Sequence, residues 1–407
     1  MNILYLAHRI PYPPNKGDKI RSFNEIKYLA VNNTVDLICL ADDPDDLQYK
    51  EALQKYCRKV FVHPISKVWG RIKGLMEFCL GKPISTAYFY RKEVQRTVNQ
   101  WLGSDNYDVL ICFSSSVAEY IFRSEYLKRA GKEAIPKRPK LIMDFCDVDS
   151  DKWLQYSRDA NFPLKQIYRA ENKRMQEYEK KVYRSFDSTF VVSDLEKETF
   201  LKYYPDGDDL VVIKNGVDTE YFSPDHKLKE PVETKNPSLV FIGAMDYHAN
   251  VEGVCWFCRE IFSDLLATNP DLQFYIVGRD PAPVVKKLAA LQGVHVIGDV
   301  ADVRPWYQTA DVFVVPLRLG RGVQNKVLEA MAMGKPVVST SRANAGVSAN
   351  DNEHLLLGDS AAGFANAVRM LLQDNEKRKL LGHRARNFVL AEYDWNINMA
   401  KLESLLT

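Results

Sequence analysis

At 407 residues the chain is long enough for about two to three domains and can bury large cores. An apolar content of 46% and a charged content of 27% suit a soluble globular protein, and a net charge of +2 gives no global case for nucleic acid. No apolar run approaches the ~18–20 residues of a membrane span, and seven scattered cysteines point to a reduced, cytoplasmic setting.

Met1 leads directly into a strand pattern over 3–7, with no secretory leader before it. A loop rich in Pro and Gly follows (His8 to Gly17), and a helix is expected from near Asp18. Strand, loop and helix place an anion-friendly helix start at a sheet's C-terminal edge, although Pro-rich loops also serve as plain connectors. Apolar runs at 35–40, 59–63, 109–113 and 140–143, separated by helical stretches, complete the pattern of a doubly wound α/β domain.

Residues 51–100 carry ten Lys/Arg against three Glu. Within them, residues 67–82 mix Lys and Arg with Val, Trp, Ile, Leu, Met and Phe. That mixture suits an interfacial helix on anionic lipid, at the inner face of the plasma membrane; a helix packing its apolar side on the domain is the equal alternative. The basic surplus lacks the aromatic platforms of single-strand nucleic-acid sites, so no nucleic-acid partner is expected. Asp144, Asp147, Asp149 and Asp151 then crowd a strand end. Carboxylates there can bind an acceptor hydroxyl, act as a base or hold Mg²⁺, and they can equally cap the next helix.

A charged helical segment spans 164–184, and short strands are expected at 188–192 and 211–213 before the turn Asn215-Gly216-Val217-Asp218. The polar stretch from Ser223 to Pro237 reads as a linker. A second run of strands follows at 239–242, 274–277, 294–297 and 311–315, each ending in a turn. Cys255-Trp-Phe-Cys258 is a lone Cys-x-x-Cys on a helical pattern and reads as core packing rather than a metal or redox pair.

The stretch from Pro316 to Pro336 carries the densest chemistry. Gly320 and Gly322 loosen the chain, and a helix is expected from near Gln324 to Gly334. At 100° per residue, Asn325, Lys326 and Glu329 share one arc, while Val327, Leu328 and Met331 share the opposite one. Glycines at a helix start admit an anion to backbone N–H groups, Lys326 offers a point charge to phosphate, and Glu329 offers two acceptors to a pair of ribose hydroxyls. The competing interpretation is an exposed Lys–Glu pair worth a few tenths of a kcal/mol.

Gly-x-Gly-x-x-x-Lys-x-x-Glu-Ala-Met-Ala-x-Gly-x-Pro-Val-Val, from Gly320 to Val338, resembles the donor-site signature of retaining GT-B glycosyltransferases of family 4. Around Asp144 to Trp153 the chain also resembles the sugar transferases associated with exosortase and exopolysaccharide systems. The resemblance implies two doubly wound Rossmann-like domains facing a cleft: residues 1–218 on the acceptor side, a linker at 219–237, a nucleotide-sugar domain at 238–390, and a helix at 391–407 crossing back. It implies a retaining transfer by front-face attack, from a UDP- or GDP-linked sugar to a glycan or lipid-linked acceptor, with no cofactor or protein-bound metal required.

Carried over residue by residue, Glu329 holds the ribose and Lys326 the diphosphate, and both are catalytic candidates. Gly17, with Asp18 and Arg21 beside it, lies at the diphosphate. Gly243, Asn250, Arg279, Val300, Gly320, Gly322 and Asn325 complete the donor set, with a backbone contact expected near Val300 and Asn250 equally suited to cap its helix. The chain departs from the family in three places. Arg321 stands where a sugar-contacting glutamate is usual, and Ala244 and Ala249 stand where an arginine and a lysine usually hold the diphosphate. Arg321 is therefore expected to turn toward the phosphates or an acidic donor sugar. No histidine occurs near Asp144, so Asp147, a catalytic candidate, or Asp149 takes the acceptor-side place. Two other classes fit the same architecture: a nucleotide-sugar epimerase, and a catalytically inactive nucleotide-sugar-binding protein.

Overall fold

The computed structural model describes residues 1–130, 138–229, 231, 237–320 and 322–407. The chain divides into two compact units, one of residues 1–214 with 399–407, the other of residues 215–398.

The first unit is built on β1 (Asn2–Ala7), β2 (Thr34–Ala41), β3 (Lys59–Pro64), β4 (Val109–Phe113), β5 (Lys140–Cys146), β6 (Ser188–Val191) and β7 (Val211–Val212). They pair in the order β3-β2-β1-β4-β5-β6-β7, and every pairing is parallel. β1 and β4 are buried almost throughout, as apolar runs covered on both faces must be. The order reverses between β1 and β4, which opens a crevice at their C-terminal ends, where His8 and Ser114 follow.

A charged cluster centred on Arg21 lies in this core. Arg21, on the Gly17–Asn32 helix, is only 1% exposed. Its Nε donates to Asp144 Oδ2 at 2.6 Å, its Nη1 donates to the Ile213 carbonyl at 2.9 Å, and Glu25 lies 3.2 Å away. Tyr5 donates its hydroxyl proton to Glu25 at 2.7 Å. Burial, with Asp144 close by, pushes the Glu25 carboxyl well above its ordinary range. The guanidinium thus ties the first helix to β5 and the segment after β7.

The second unit is built on β8 (Ser238–Ile242), β9 (Gln273–Val277), β10 (Val294–Gly298), β11 (Val312–Val315), β12 (Val337–Ser339) and β13 (Leu356–Leu357), in the order β10-β9-β8-β11-β12-β13. All pairings are again parallel. The order reverses between β8 and β11, so the loops after these two strands share the crevice. Cys255 and Cys258 are buried and free in this unit's core. Val217 pairs with Asp394, and Trp395 packs over Gly216, so the Asn215–Asp218 turn belongs with the second unit. No helix of the described residues is long and apolar enough to cross a membrane.

Replacing Arg21 by Met leaves the buried Asp144 carboxylate without its counter-charge. We expect a loss of about 3–5 kcal/mol in denaturant unfolding of the first unit, with nucleotide affinity unchanged once the protein is folded.

Candidate functional site

The second unit's crevice is assembled by glycines. Gly278 has φ of +150°, and a Cβ built on it would lie 1.7 Å from the Gly243 carbonyl oxygen, so only glycine allows the β9 loop to press on the β8 loop. A Cβ on Gly243 would come within 2.7 Å of Asn250 Nδ2 and 3.2 Å of Lys326 Nζ. Gly320 and Gly322, with φ of +113° and +77°, turn the chain after β11 into the Asn325–Ala332 helix. Arg342 Nε donates to the Gly320 carbonyl at 2.9 Å and steadies that loop. Gln324, at the N-cap position, makes no side-chain cap bond to this helix.

Val327, Leu328 and Met331 are fully buried on the sheet, while Asn325, Lys326 and Glu329 sit half-buried on the other arc. Lys326 and Glu329 do not pair with each other. Lys326 Nζ donates to Asn250 Oδ1 at 2.6 Å and lies 4.8 Å from the centre of the Phe241 ring. Asn250 is anchored in turn, donating Nδ2 to the Ala244 carbonyl at 2.9 Å. It does not cap its helix; Tyr247 precedes the His248–Phe257 helix and Asn250 lies inside it. Glu329 Oε2 accepts from the Tyr307 hydroxyl at 2.6 Å.

These contacts set the charges. Burial lowers the Lys326 ammonium to about 7, and nearby Glu329 only partly opposes that. Burial raises the Glu329 carboxyl, while Tyr307 and Lys326 pull it back. The pair therefore offers a cation held by a neutral amide and a carboxylate held by a phenol. A nearby anion would raise the Lys326 pKa again and so favour its charged form.

The other donor candidates are dispersed. Arg279 is exposed and lends its carbonyl to the Met245 N–H at 2.9 Å, and Val300 packs half-buried against the core. Ala249 is buried, its methyl 3.7 Å from the Cβ position of Gly320. Arg321 lies outside the described residues. In the first unit, Gly17 is exposed with open space around its Cβ position. Asp18 is taken up by Arg9 at 2.8 Å, with His8 Nε2 at 3.6 Å. Burial opposes its charge, but these two partners outweigh it and hold the carboxyl far below its usual range. Arg21, expected at the diphosphate, is instead sealed in the core, because its position in the helix points it under the sheet toward Asp144.

The first unit's crevice opens into a cavity of about 600 Å³. Asp149 lines it, accepting from Ser115 Oγ at 3.0 Å and Lys152 Nζ at 2.6 Å. Burial raises this carboxyl, but Lys152 and Ser115 prevail and keep it below the ordinary range. Asp147 is exposed on the loop after β5. His8 also lines the cavity, stacked 5.7 Å from Phe113 and edge-on to Phe89 at 5.2 Å. Sequence reasoning passed over His8, Lys152 and Tyr307. His8 had a signal, as the first residue beyond β1 at a point of strand reversal; Tyr307 had none. No group of three or more potential metal ligands occurs among the described residues.

Lys326 is charged up to about 10.5 in the unfolded chain but only to about 7 in the folded one. Its burial therefore costs stability below pH 7, and that cost fades as pH rises toward 10.5. Lys326→Met should accordingly stabilise the protein more at pH 6.5 than at pH 9. Equal effects at both pH values in urea unfolding would show that the ammonium is not desolvated.

Residues 236–374 match the family model described as glycosyl transferases group 1. Over 96% of both chains the protein is 22% identical to a Klebsiella pneumoniae protein named as an uncharacterized 44.6 kDa protein in the cps region. It is 27% identical to a GDP-mannose-dependent alpha-(1-6)-phosphatidylinositol monomannoside mannosyltransferase of Mycobacterium tuberculosis, over 54% of this chain and 61% of that one. Its fold superposes on Anabaena HepE solved in complex with UDP, with a TM-score of 0.68 and 15% identity over 100% of this chain and 99% of that one. Two parallel Rossmann-like sheets and a group 1 domain spanning the Lys326–Glu329 crevice make this chain a GT-B glycosyltransferase, a transferase of class EC 2.4.

Proposed function

We propose that the chain moves a sugar, with retention at the anomeric carbon, from a nucleoside-diphosphate sugar to a glycan or lipid-linked acceptor in exopolysaccharide or cell-surface polysaccharide synthesis. The observation that carries this reading is the desolvated ammonium of Lys326, held by Asn250 and in no ion pair with a described carboxylate, beside a glutamate that a phenol holds in place. In this reading the diphosphate lies against Lys326 and the opening N–H groups of its helix, and Glu329 accepts from the ribose hydroxyls. Gly243, Gly320 and Gly322 admit the phosphates closely, and Asn250 orients Lys326.

During transfer the acceptor oxygen bonds to the anomeric carbon as the bond from that carbon to phosphate oxygen breaks. The hydroxyl proton passes to the departing diphosphate on the same face, and Lys326 neutralises the developing charge. Asp149, held ionised by Lys152, is a weak base and serves to orient the hydroxyl. The similarity to a cps-region protein along nearly the whole chain supports the polysaccharide setting. The mannosyltransferase named for a phosphatidylinositol monomannoside supports a lipid-linked acceptor, and the apolar, basic Lys67–Cys79 helix supports contact with an anionic membrane.

Melting points measured with UDP, GDP and their sugars test the donor site, since a ligand of the folded form raises them. Glu329→Ala should weaken nucleoside diphosphate binding about 10- to 100-fold, matching the ~1.5–3 kcal/mol of a hydrogen bond to a charged group. An unaltered shift removes the ribose assignment. Conversion of the donor sugar to its epimer with no acceptor present would identify an epimerase instead.

A further inference from the structure

In the second unit's sheet β12 lies beside β11, so the segment after Ser339 reaches the same C-terminal edge as the Gly320–Gly322 loop. It grips that loop at both ends. Arg342 donates Nε to the Gly320 carbonyl at 2.9 Å, and a Cβ built on Gly346 would lie 2.5 Å from the Gly322 carbonyl oxygen. The segment is itself fixed. The Thr340 hydroxyl accepts from the Ala343 N–H at 3.1 Å and donates to the Leu317 carbonyl. The Asn344 side chain exchanges two hydrogen bonds with the Ala349 backbone, at 2.8 and 3.1 Å. Arg342 therefore stands on a rigid turn.

Its charge is not used within the unit. Asp359, the acidic side chain bonded to this turn, is taken by Ser341, which donates both its N–H and its hydroxyl at 2.8 Å. Arg342 is exposed, and among the described residues its guanidinium bonds to the Gly320 carbonyl alone. Arg318, two residues before Gly320, is by contrast paired with Glu252 and lies 4.9 Å from the centre of the Trp256 ring. Nor does the loop supply a carboxylate: from Pro316 to Leu328 the chain has no Asp or Glu. The hydroxyls of a neutral sugar need acceptors as well as donors, and a guanidinium only donates. Lys326 meanwhile leans to the other flank of β11, where Asn250 and Gly243 meet it. The crevice thus has one cation on each side of the glycine loop.

Resting on the transferase reading above, we propose that Arg342 selects a donor whose sugar carries a carboxylate, that is, a nucleoside-diphosphate uronic acid. Lys326 and the start of its helix hold the diphosphate, and the sugar on the outer phosphate extends along the glycine loop toward β12. There the Nη1 and Nη2 edge of Arg342 grasps the carboxylate. A carboxylate matches the planar fork of a guanidinium, and a turn fixed in advance keeps the ordering cost of binding small.

Calorimetry of the full chain with UDP-glucuronic acid and UDP-glucose tests this, or with GDP-mannuronic acid and GDP-mannose where GDP is the nucleotide that raises the melting point. We expect the uronate to bind at least about tenfold more tightly than the neutral sugar nucleotide, a factor that one hydrogen bond to a charged group supplies. Arg342→Gln, at an exposed position, should remove that advantage and leave binding of the bare nucleoside diphosphate as it was. Equal affinity for the two sugar nucleotides overturns the proposal, and so does a preference that survives Arg342→Gln. Equal weakening of all three ligands by Arg342→Gln also overturns it, because the guanidinium would then serve the phosphates or the loop alone. If no nucleotide binds the parent chain, the donor site itself fails. If nucleotides bind with no preference for the uronate, that site stands and the selection by Arg342 alone falls.

Discussion

An ammonium kept away from water without a carboxylate to neutralise it is the constraint on which the second unit's design rests. A charged lysine taken from solvent is unfavourable unless something compensates it, and here the oxygen of Asn250 does so at 2.6 Å, helped by the Phe241 ring at 4.8 Å and the nearby charge of Glu329. The fold has to hold that arrangement open. Gly278 lets one loop press on Gly243, Gly243 leaves room for Asn250 and Lys326, and Tyr307 keeps Glu329 from closing on the lysine. A direct Lys326–Glu329 ion pair would be a few tenths of a kcal/mol of helix stabilisation and would offer little to a ligand. Separate partners for each keep both available.

The first unit follows the same topological logic with different chemistry. Its crevice also lies where strand order reverses, between β1 and β4, but its carboxylate is already neutralised by Lys152. Charge is satisfied in advance here and left unsatisfied in the other unit.

The arcs of the Asn325–Ala332 helix were legible from sequence because helical periodicity is local: Val327, Leu328 and Met331 are fully buried on the sheet, while Lys326 and Glu329 are half-buried on the other arc. The parallel α/β character was legible for the same reason, from apolar runs spaced by helical stretches. The partners were not. Asn250 lies 76 residues from Lys326 and Tyr307 lies 22 from Glu329, and no periodicity links positions brought together only by strand order. Arg21 shows the converse hazard. In a strand–loop–helix context it resembles an anion ligand, yet one turn into the helix it points under the sheet to Asp144, 123 residues away. The short strands β12 and β13, of three and two residues, carry too little pattern to be seen beforehand.

Calorimetry of nucleotide binding at pH 8, repeated in buffers of different ionisation enthalpy, tests the role of Lys326 most directly. With whichever of UDP or GDP raises the melting point, a Lys326 amine that burial lowers to about 7 should take up a proton as the diphosphate arrives. Uptake of roughly one proton per nucleotide is the expected result. Binding with no proton uptake would contradict it, because the charge meeting the diphosphate would then have to come from another residue.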